Sequence, residues 1–100
     1  MFVFVDFIFE VVDKTGRKIR FSKKQYSHSM RKHSYMHKYM EEIKQTIQNP
    51  DKIIYPTKDK GYYYKRYKYL KNPNRFILVV VKYLNGDGYI ITSYLEEKIK

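Results

Sequence analysis

The chain has no cysteine and no tryptophan among its 100 residues. Lack of cysteine excludes disulfides and thiol nucleophiles and fits a reducing compartment. No segment approaches the roughly 20 apolar residues that a membrane-spanning helix needs. The apolar start, Phe2 to Phe9, is interrupted by Asp6 and closed by Glu10 with no basic stretch before it, so it does not read as a signal peptide. There is no Gly-rich phosphate loop, no serine-hydrolase elbow and no pair of carboxylates at catalytic spacing. Asp6, Glu10 and Asp13 are too scattered to suggest a magnesium site. These absences predict a soluble, cytoplasmic protein without a cofactor and without a membrane partner.

Acidic residues are also absent from one long stretch. Between Lys14 and Met40 there are nine Lys or Arg residues and no Asp or Glu, and all three histidines (His28, His33 and His37) fall inside it. The net charge is +11 with a pI near 9.7. Such a block repels itself unless something anionic meets it, which favours RNA, DNA or an acidic protein as partner. Histidine moves protons near neutral pH, so the segment combines phosphate-binding charge with proton-transfer groups. The plainer alternative is a basic surface with incidental histidines. Twelve of the eighteen aromatics are tyrosine, which suits a small sheet and equally a surface that touches bases.

The order of elements is legible in the pattern. Residues 2–12 read as a buried strand, Asp13-Lys14-Thr15-Gly16 as a turn, and Arg17–Phe21 as the returning strand of a hairpin. Ser22 and Gln25 have capping-box spacing, which starts a helix at Lys23 with Tyr26 and Met30 on its buried side. Met36, Met40, Ile43 and Ile47 draw the apolar stripe of a second helix, capped by Ser34 and ended by Asn49-Pro50-Asp51. Whether these are two helices or one bent rod is open at this level. Strands then follow at Lys52–Tyr55, Tyr62–Leu70, Phe76–Val81 and Tyr89–Leu95, with Asn85-Gly86-Asp87-Gly88 as a hairpin turn. The expectation is one α+β domain over residues 1–100, an N-terminal hairpin and two helices packed on one face of an antiparallel meander.

Several motifs occur in a recognisable order. They are Asp13-Lys14-Thr15-Gly16-Arg17-Lys18-Ile19, Tyr26-Ser27-His28, Arg31-Lys32-His33, and the helix end Ile43–Ile53 with Thr46, Pro50 and Asp51. Val79-Val80-Val81-Lys82 and Ile90-Ile91-Thr92-Ser93-Tyr94 close the series. Together, over residues 13–99, they resemble the phage-associated barnase–EndoU–colicin–RelE-like nucleases, small metal-independent RNases of the barnase/RelE-like fold. The resemblance implies attack of a 2′-OH on phosphorus to leave a 2′,3′-cyclic phosphate. It also fits a toxin whose basic face an acidic antitoxin or inhibitor would cover. Members of the family usually continue the second histidine with Pro-Glu, whereas Ser34-Tyr35 follows His33 here.

RNA cleavage without a metal needs a base, an acid and cations around the phosphate. His28 and His33 are the candidate acid–base pair. Five residues apart on one ideal helix they point about 140° from each other, so they can flank one phosphate only if the helix ends or bends near His33. Arg31 and Lys32, at i+3 and i+4 from His28, share its face and are candidates to hold the phosphate. His28 could equally be a surface histidine, and His33 a helix C-cap. His37 reads as a solvated residue, and the spacing of the three histidines matches no common zinc pattern. Thr92 and Tyr94 share one face of the last strand, with Ser93 on the other. The resemblance points to Thr92 for orienting or bonding the phosphate, and to Tyr94 as a further site residue. Lys82 ends an apolar run and either reaches the site or marks the rim of the sheet. Tyr62, Tyr64, Arg66 and Lys68 would alternate onto one face, as single-stranded RNA requires for stacking and phosphate neutralisation. A non-catalytic RNA- or DNA-binding protein of a mobile element or virus would use the same surface.

Overall fold

Turn chemistry organises the start of the chain. In the computed structural model, which describes residues 7–100, strands β1 (Phe7–Val12) and β2 (Lys18–Ser22) are joined by a turn built on Asp13. One Asp13 carboxylate oxygen accepts from the Thr15 and Arg17 backbone N–H groups, each at 2.9 Å, and from the Thr15 hydroxyl at 2.8 Å. Gly16 takes φ +92°, open to glycine at little cost. The part of the first strand expected at residues 2–6 lies outside the described residues, as does Asp6.

Ser22 caps helix α1 (Lys23–Lys32), its hydroxyl accepting from the Gln25 backbone N–H at 3.1 Å. The reciprocal half of the capping box is missing. The Gln25 side chain instead donates to the carbonyl of Ile91 at 2.9 Å. Helix α1 ends at Lys32, and His33 is its C-cap with φ −133° and ψ 56°. A 3-10 segment, Ser34–Tyr39, then leads into helix α2 (Met40–Gln48). The connection is therefore two helices and not one rod, and Ser34 opens the 3-10 turn and makes no side-chain cap bond. Met36, Ile43 and Ile47 are fully buried, as their spacing predicts.

Four strands complete the sheet: β3 (Lys52–Thr57), β4 (Lys60–Arg66), β5 (Phe76–Leu84) and β6 (Asp87–Glu96). The six strands lie in the order β1-β2-β6-β5-β4-β3, and β2 runs parallel to β6, so the sheet is mixed. Pro56 falls inside β3, where an edge strand tolerates its missing N–H. β4 stops at Arg66, short of Leu70, because the chain turns back: the Arg66 N–H goes to the Asp51 carboxylate and the Tyr67 N–H to the Arg75 carbonyl. Lys68 and Tyr69 consequently leave the alternation expected of a strand through Leu70. Asn85 and Gly86, both at positive φ, close the β5–β6 hairpin.

One face of the sheet carries Phe9, Ile19, Phe21, Tyr63, Ile77, Val79, Val81 and Ile90 against Met36, Ile43 and Ile47. Each such side chain contributes roughly 1.5–3 kcal/mol by leaving water. Helix α2 covers this face. Helix α1 does not lie flat beside it. It continues the line of β2 along the free edge of β6, with Tyr26 and Met30 in the core and Gln25 and Ser29 bonded to β6. One end of the core holds a polar knot. Tyr63 donates to the second Asp13 oxygen at 2.5 Å, Tyr83 meets the Tyr63 hydroxyl at 2.7 Å, and the Arg17 guanidinium lies 4.1 Å from the centre of the Tyr83 ring. Gly61 backs onto this knot, where any Cβ would collide with the Tyr83 hydroxyl.

Candidate active site

Among the described residues no helix packs across the opposite face of the sheet, although α1 borders its β6 edge, and the side chains there fall into rows fixed by the register. Tyr94 on β6 stands opposite Leu78 on β5, which stands opposite Tyr64 on β4. The next row, about 7 Å along the strands, is Thr92, Val80 and Tyr62. Beyond it come Tyr89, Lys82 and Lys60, with Arg20 of β2 paired to Tyr89. At the other end are Glu96, Phe76 and Arg66.

Helix α1 delivers its polar side to this face. Gln25, Ser29 and His33 are spaced at i, i+4 and i+8. Buried Ser29 meets the Thr92 hydroxyl at 3.1 Å, and the backbone N–H of His33 donates to the Ser29 carbonyl at 3.0 Å. Because the helix ends there, the His33 ring leaves the helical path and lies over Tyr94, with centroids 5.2 Å apart and planes inclined by 27°. Its Nδ1 faces the Tyr35 hydroxyl at 3.4 Å. Its Nε2 has no hydrogen-bond partner among the described residues.

His28 is exposed. At about 100° per residue, it and Lys32 fall on the flank of α1 beside Gln25, opposite the Tyr26–Met30 side that enters the core. Arg31 falls on the outer side, away from the sheet, and is exposed. Burial, with Glu96 nearby adding to it, pushes the phenols of Tyr94 and Tyr64 above their ordinary range, so both stay protonated donors at neutral pH. Arg20 is engaged by Glu10 at 2.9 Å and Asp87 at 2.7 Å. Lys60 and Lys82 face each other across β4 and β5, with no ion-pair partner among the described residues.

The structure thus brings His33 into contact with Tyr94, places Thr92 two residues along β6 and Tyr64 two strands away on the same face, and sets Lys82 and Arg66 on that face at opposite ends. Tyr64 is only 1% exposed and forms the floor, so the accessible ring of β4 is Tyr62. Arg31 is not gathered with the others. His37 is exposed on the 3-10 segment. Four residues were missed by sequence reasoning: Gln25, Ser29, Tyr35 and Glu96. The first two had a signal, a polar stripe that runs into His33 at helical spacing. Glu96 had one too, alternating with Thr92 and Tyr94.

Among the described residues no three His, Cys, Asp or Glu side chains gather as a metal site requires, and no helix is long and apolar enough to cross a membrane. The arrangement offers an imidazole, hydroxyls, protonated phenols and lysines without an ion-pair partner among the described residues on one surface. No curated protein and no solved structure matches the chain. The family model described as phage-Barnase-EndoU-ColicinE5/D-RelE like nuclease2 does match, over residues 9–99, and the chain belongs to that nuclease family.

Proposed function

We propose that the protein is a metal-independent endoribonuclease, folded as a single domain, whose reaction takes place on the helix-free face of the sheet. The observation that carries this reading is the His33 ring, stacked on Tyr94 and left with an open Nε2 at the mouth of that face. In the reaction, a histidine removes the proton of a 2′-OH and the 2′-oxygen attacks phosphorus. The bond to the 5′-oxygen breaks, and a second histidine protonates the leaving group. The products are a 2′,3′-cyclic phosphate and a free 5′-OH. His33 and His28 fill these two roles in an order left unassigned.

Lys32, on the His28 flank, offsets charge on the phosphate, and Lys82 and Arg66 guide the strand on either side. Thr92 donates its hydroxyl to a phosphate oxygen, with Ser29 fixing its rotamer. Tyr35 stands where the resemblance implies a glutamate after the second histidine, and its hydroxyl, 3.4 Å from Nδ1, supports the ring in that residue's stead. The +11 charge favours an acidic inhibitor over this face, which would suit a toxin.

A labelled mixed-sequence RNA incubated in EDTA tests the reading. Wild type should yield cyclic-phosphate ends, and His33→Ala and His28→Ala should lose turnover by a factor on the order of 10²–10⁴ while staying folded. Bound RNA that remains intact, with and without ribosomes, would sink it. A non-catalytic RNA-binding protein is the second reading, favoured by the exposure of His28, which no described residue orients. Unchanged RNA affinity with no cleavage in any variant would establish that alternative.

A further inference from the structure

Strand β6 changes phase in its middle. Ile90 pairs with Val81 and Thr92 with Val80, so Ile91 is an extra residue with no partner on β5. This is a β-bulge, a device that re-aims side chains and is over-represented beside active sites. Tyr89 pairs with Arg20 of β2 and lies on the open face of the sheet, whereas Ile90 belongs to the core. Unbroken alternation from Tyr89 would send Thr92 and Tyr94 to the core face along with Ile90. The extra residue sets them on the open face instead, where Thr92 stands in one row with Val80 and Tyr62.

A bulge disrupts the ladder, and the backbone groups it frees need other partners. The β2–β6 pairing has ended by this point, its pairs being Ile19 with Gly88 and Arg20 with Tyr89. Helix α1 takes over the edge. The Gln25 side chain donates from Nε2 to the Ile91 carbonyl at 2.9 Å, and Ser29, one turn further on, meets the Thr92 hydroxyl at 3.1 Å. Gln25 is the third residue of the helix, from which a capping glutamine ordinarily folds back onto its own N-cap. Here only its backbone N–H serves Ser22, and the side-chain amide reaches the strand. We propose that Gln25 is a positioning residue for the cleavage reaction: by holding the Ile91 bulge it aims the Thr92 hydroxyl at the phosphate. The inference rests on RNA cleavage at the His33–Thr92 face. The amide N–H is what matters. A carboxylate of the same shape has no donor and turns its charge on a carbonyl oxygen, and a thioether of the same length has only a weak acceptor.

Steady-state cleavage of a labelled RNA tests it, read together with the NMR shift of the Thr92 methyl group. In Gln25→Met and Gln25→Glu, kcat should fall by roughly tenfold to 10²-fold, the scale of a reacting group displaced by a fraction of an ångström to about 1 Å. KM should hold, because the hydroxyl acts on the reaction and not on the grip of the strand. The Thr92 methyl resonance should move in both variants. In a Thr92→Val background, Gln25→Met should cost no further activity, since its effect passes through that hydroxyl. Thr46→Val breaks a buried hydroxyl contact with Tyr67 on α2 and is the control for mere destabilisation. It should lower stability and leave kcat alone. An unchanged kcat in both Gln25 variants, or a loss that adds in full to that of Thr92→Val, would overturn the inference while keeping the nuclease. A wild type that cleaves no RNA would remove the nuclease reading. A Thr92 methyl that still moves in Gln25→Met would then keep the hold of Gln25 on the bulge, and one that stays in place would remove that as well.

Discussion

His33 and Tyr94 are far apart in the sequence, yet their rings stack at 5.2 Å between centroids. The stack exists because α1 runs along the free edge of β6 and stops one residue before His33. Tyr94 beneath the ring, with Tyr35 edge-on to it at 5.9 Å, fixes where the imidazole sits. Tyr94→Leu should let the ring wander and lower kcat for RNA cleavage by roughly 10²-fold, the size expected when a reacting group is misplaced by about 1 Å. Tyr94→Phe keeps the stack and should retain most activity. Equal losses in the two variants would mean that the hydroxyl, and not the stack, is what matters.

Ser29 and Thr92 form the second tie between α1 and β6, hydroxyl to hydroxyl at 3.1 Å with Ser29 buried. Removing one partner strands the other. Thr92→Val should cost about 1–3 kcal/mol of stability in urea unfolding. The double variant Ser29→Ala/Thr92→Val should cost less than the sum of the two single changes, since no buried hydroxyl is then left unpaired. A strictly additive result would show that the two side chains do not share a bond in solution. Turnover should separate them further, falling more in Thr92→Val than in Ser29→Ala if Thr92 meets the phosphate.

The sequence was most informative where structure is decided locally. Ser22 as a cap, Asn85-Gly86 as a hairpin turn and the Met36–Ile47 stripe each depend on neighbours within a few residues, and each is found in place. Pairing between distant segments left no such mark. Nothing in Lys18–Ser22 says that it will run parallel to β6, and that pairing is what sets α1 against Thr92 and Tyr94. Alternation assigned Tyr64 to its face correctly but could not tell a floor from an exposed surface, because exposure depends on Leu78, Tyr94 and the chain's end packing around it. Arg31 and Lys32 were indistinguishable as cations. Only the direction of α1 relative to the sheet separates them. The Gln25–Ser29–His33 stripe was visible as spacing, but polar residues on a helix ordinarily mark solvent, and here they mark a strand edge.

Asp13 ties the β1–β2 turn to the core through Tyr63. Burial alone would raise its pKa, but hydrogen bonds from Tyr63, Thr15 and Arg17 outweigh that and hold it below the ordinary carboxylate value. Its folded-state pKa is therefore lower than its unfolded one. The stabilisation is complete above about pH 4, the unfolded value, and is lost as pH falls toward the folded value. Urea unfolding from pH 7 to pH 2 should show this as declining stability below about pH 4. Asp13→Asn should be weaker by about 1.5–3 kcal/mol at pH 7, the scale of hydrogen bonds to a charged group, and its curve should be flatter below pH 4. An unaltered slope in the variant would assign the acid sensitivity to other carboxylates.

Lys82 and Lys60 stand directly opposite each other on β5 and β4, an arrangement that costs stability because like charges meet across the strands. Asp59 is close enough to feel both, though neither lysine forms an ion pair with it. A polyanion passing over this face would relieve the repulsion and release counterions. Lys82→Gln should therefore leave the free protein equally or slightly more stable, by at most about 1 kcal/mol, while weakening RNA binding. The affinity loss should be largest at low salt. The slope of log K against log salt should shrink by about 0.7, the value for one phosphate contact on a single strand. Measuring binding between 50 and 300 mM salt checks both. A variant that loses affinity with an unchanged slope would place Lys82 at a base or sugar, and one that loses neither would remove it from the RNA path.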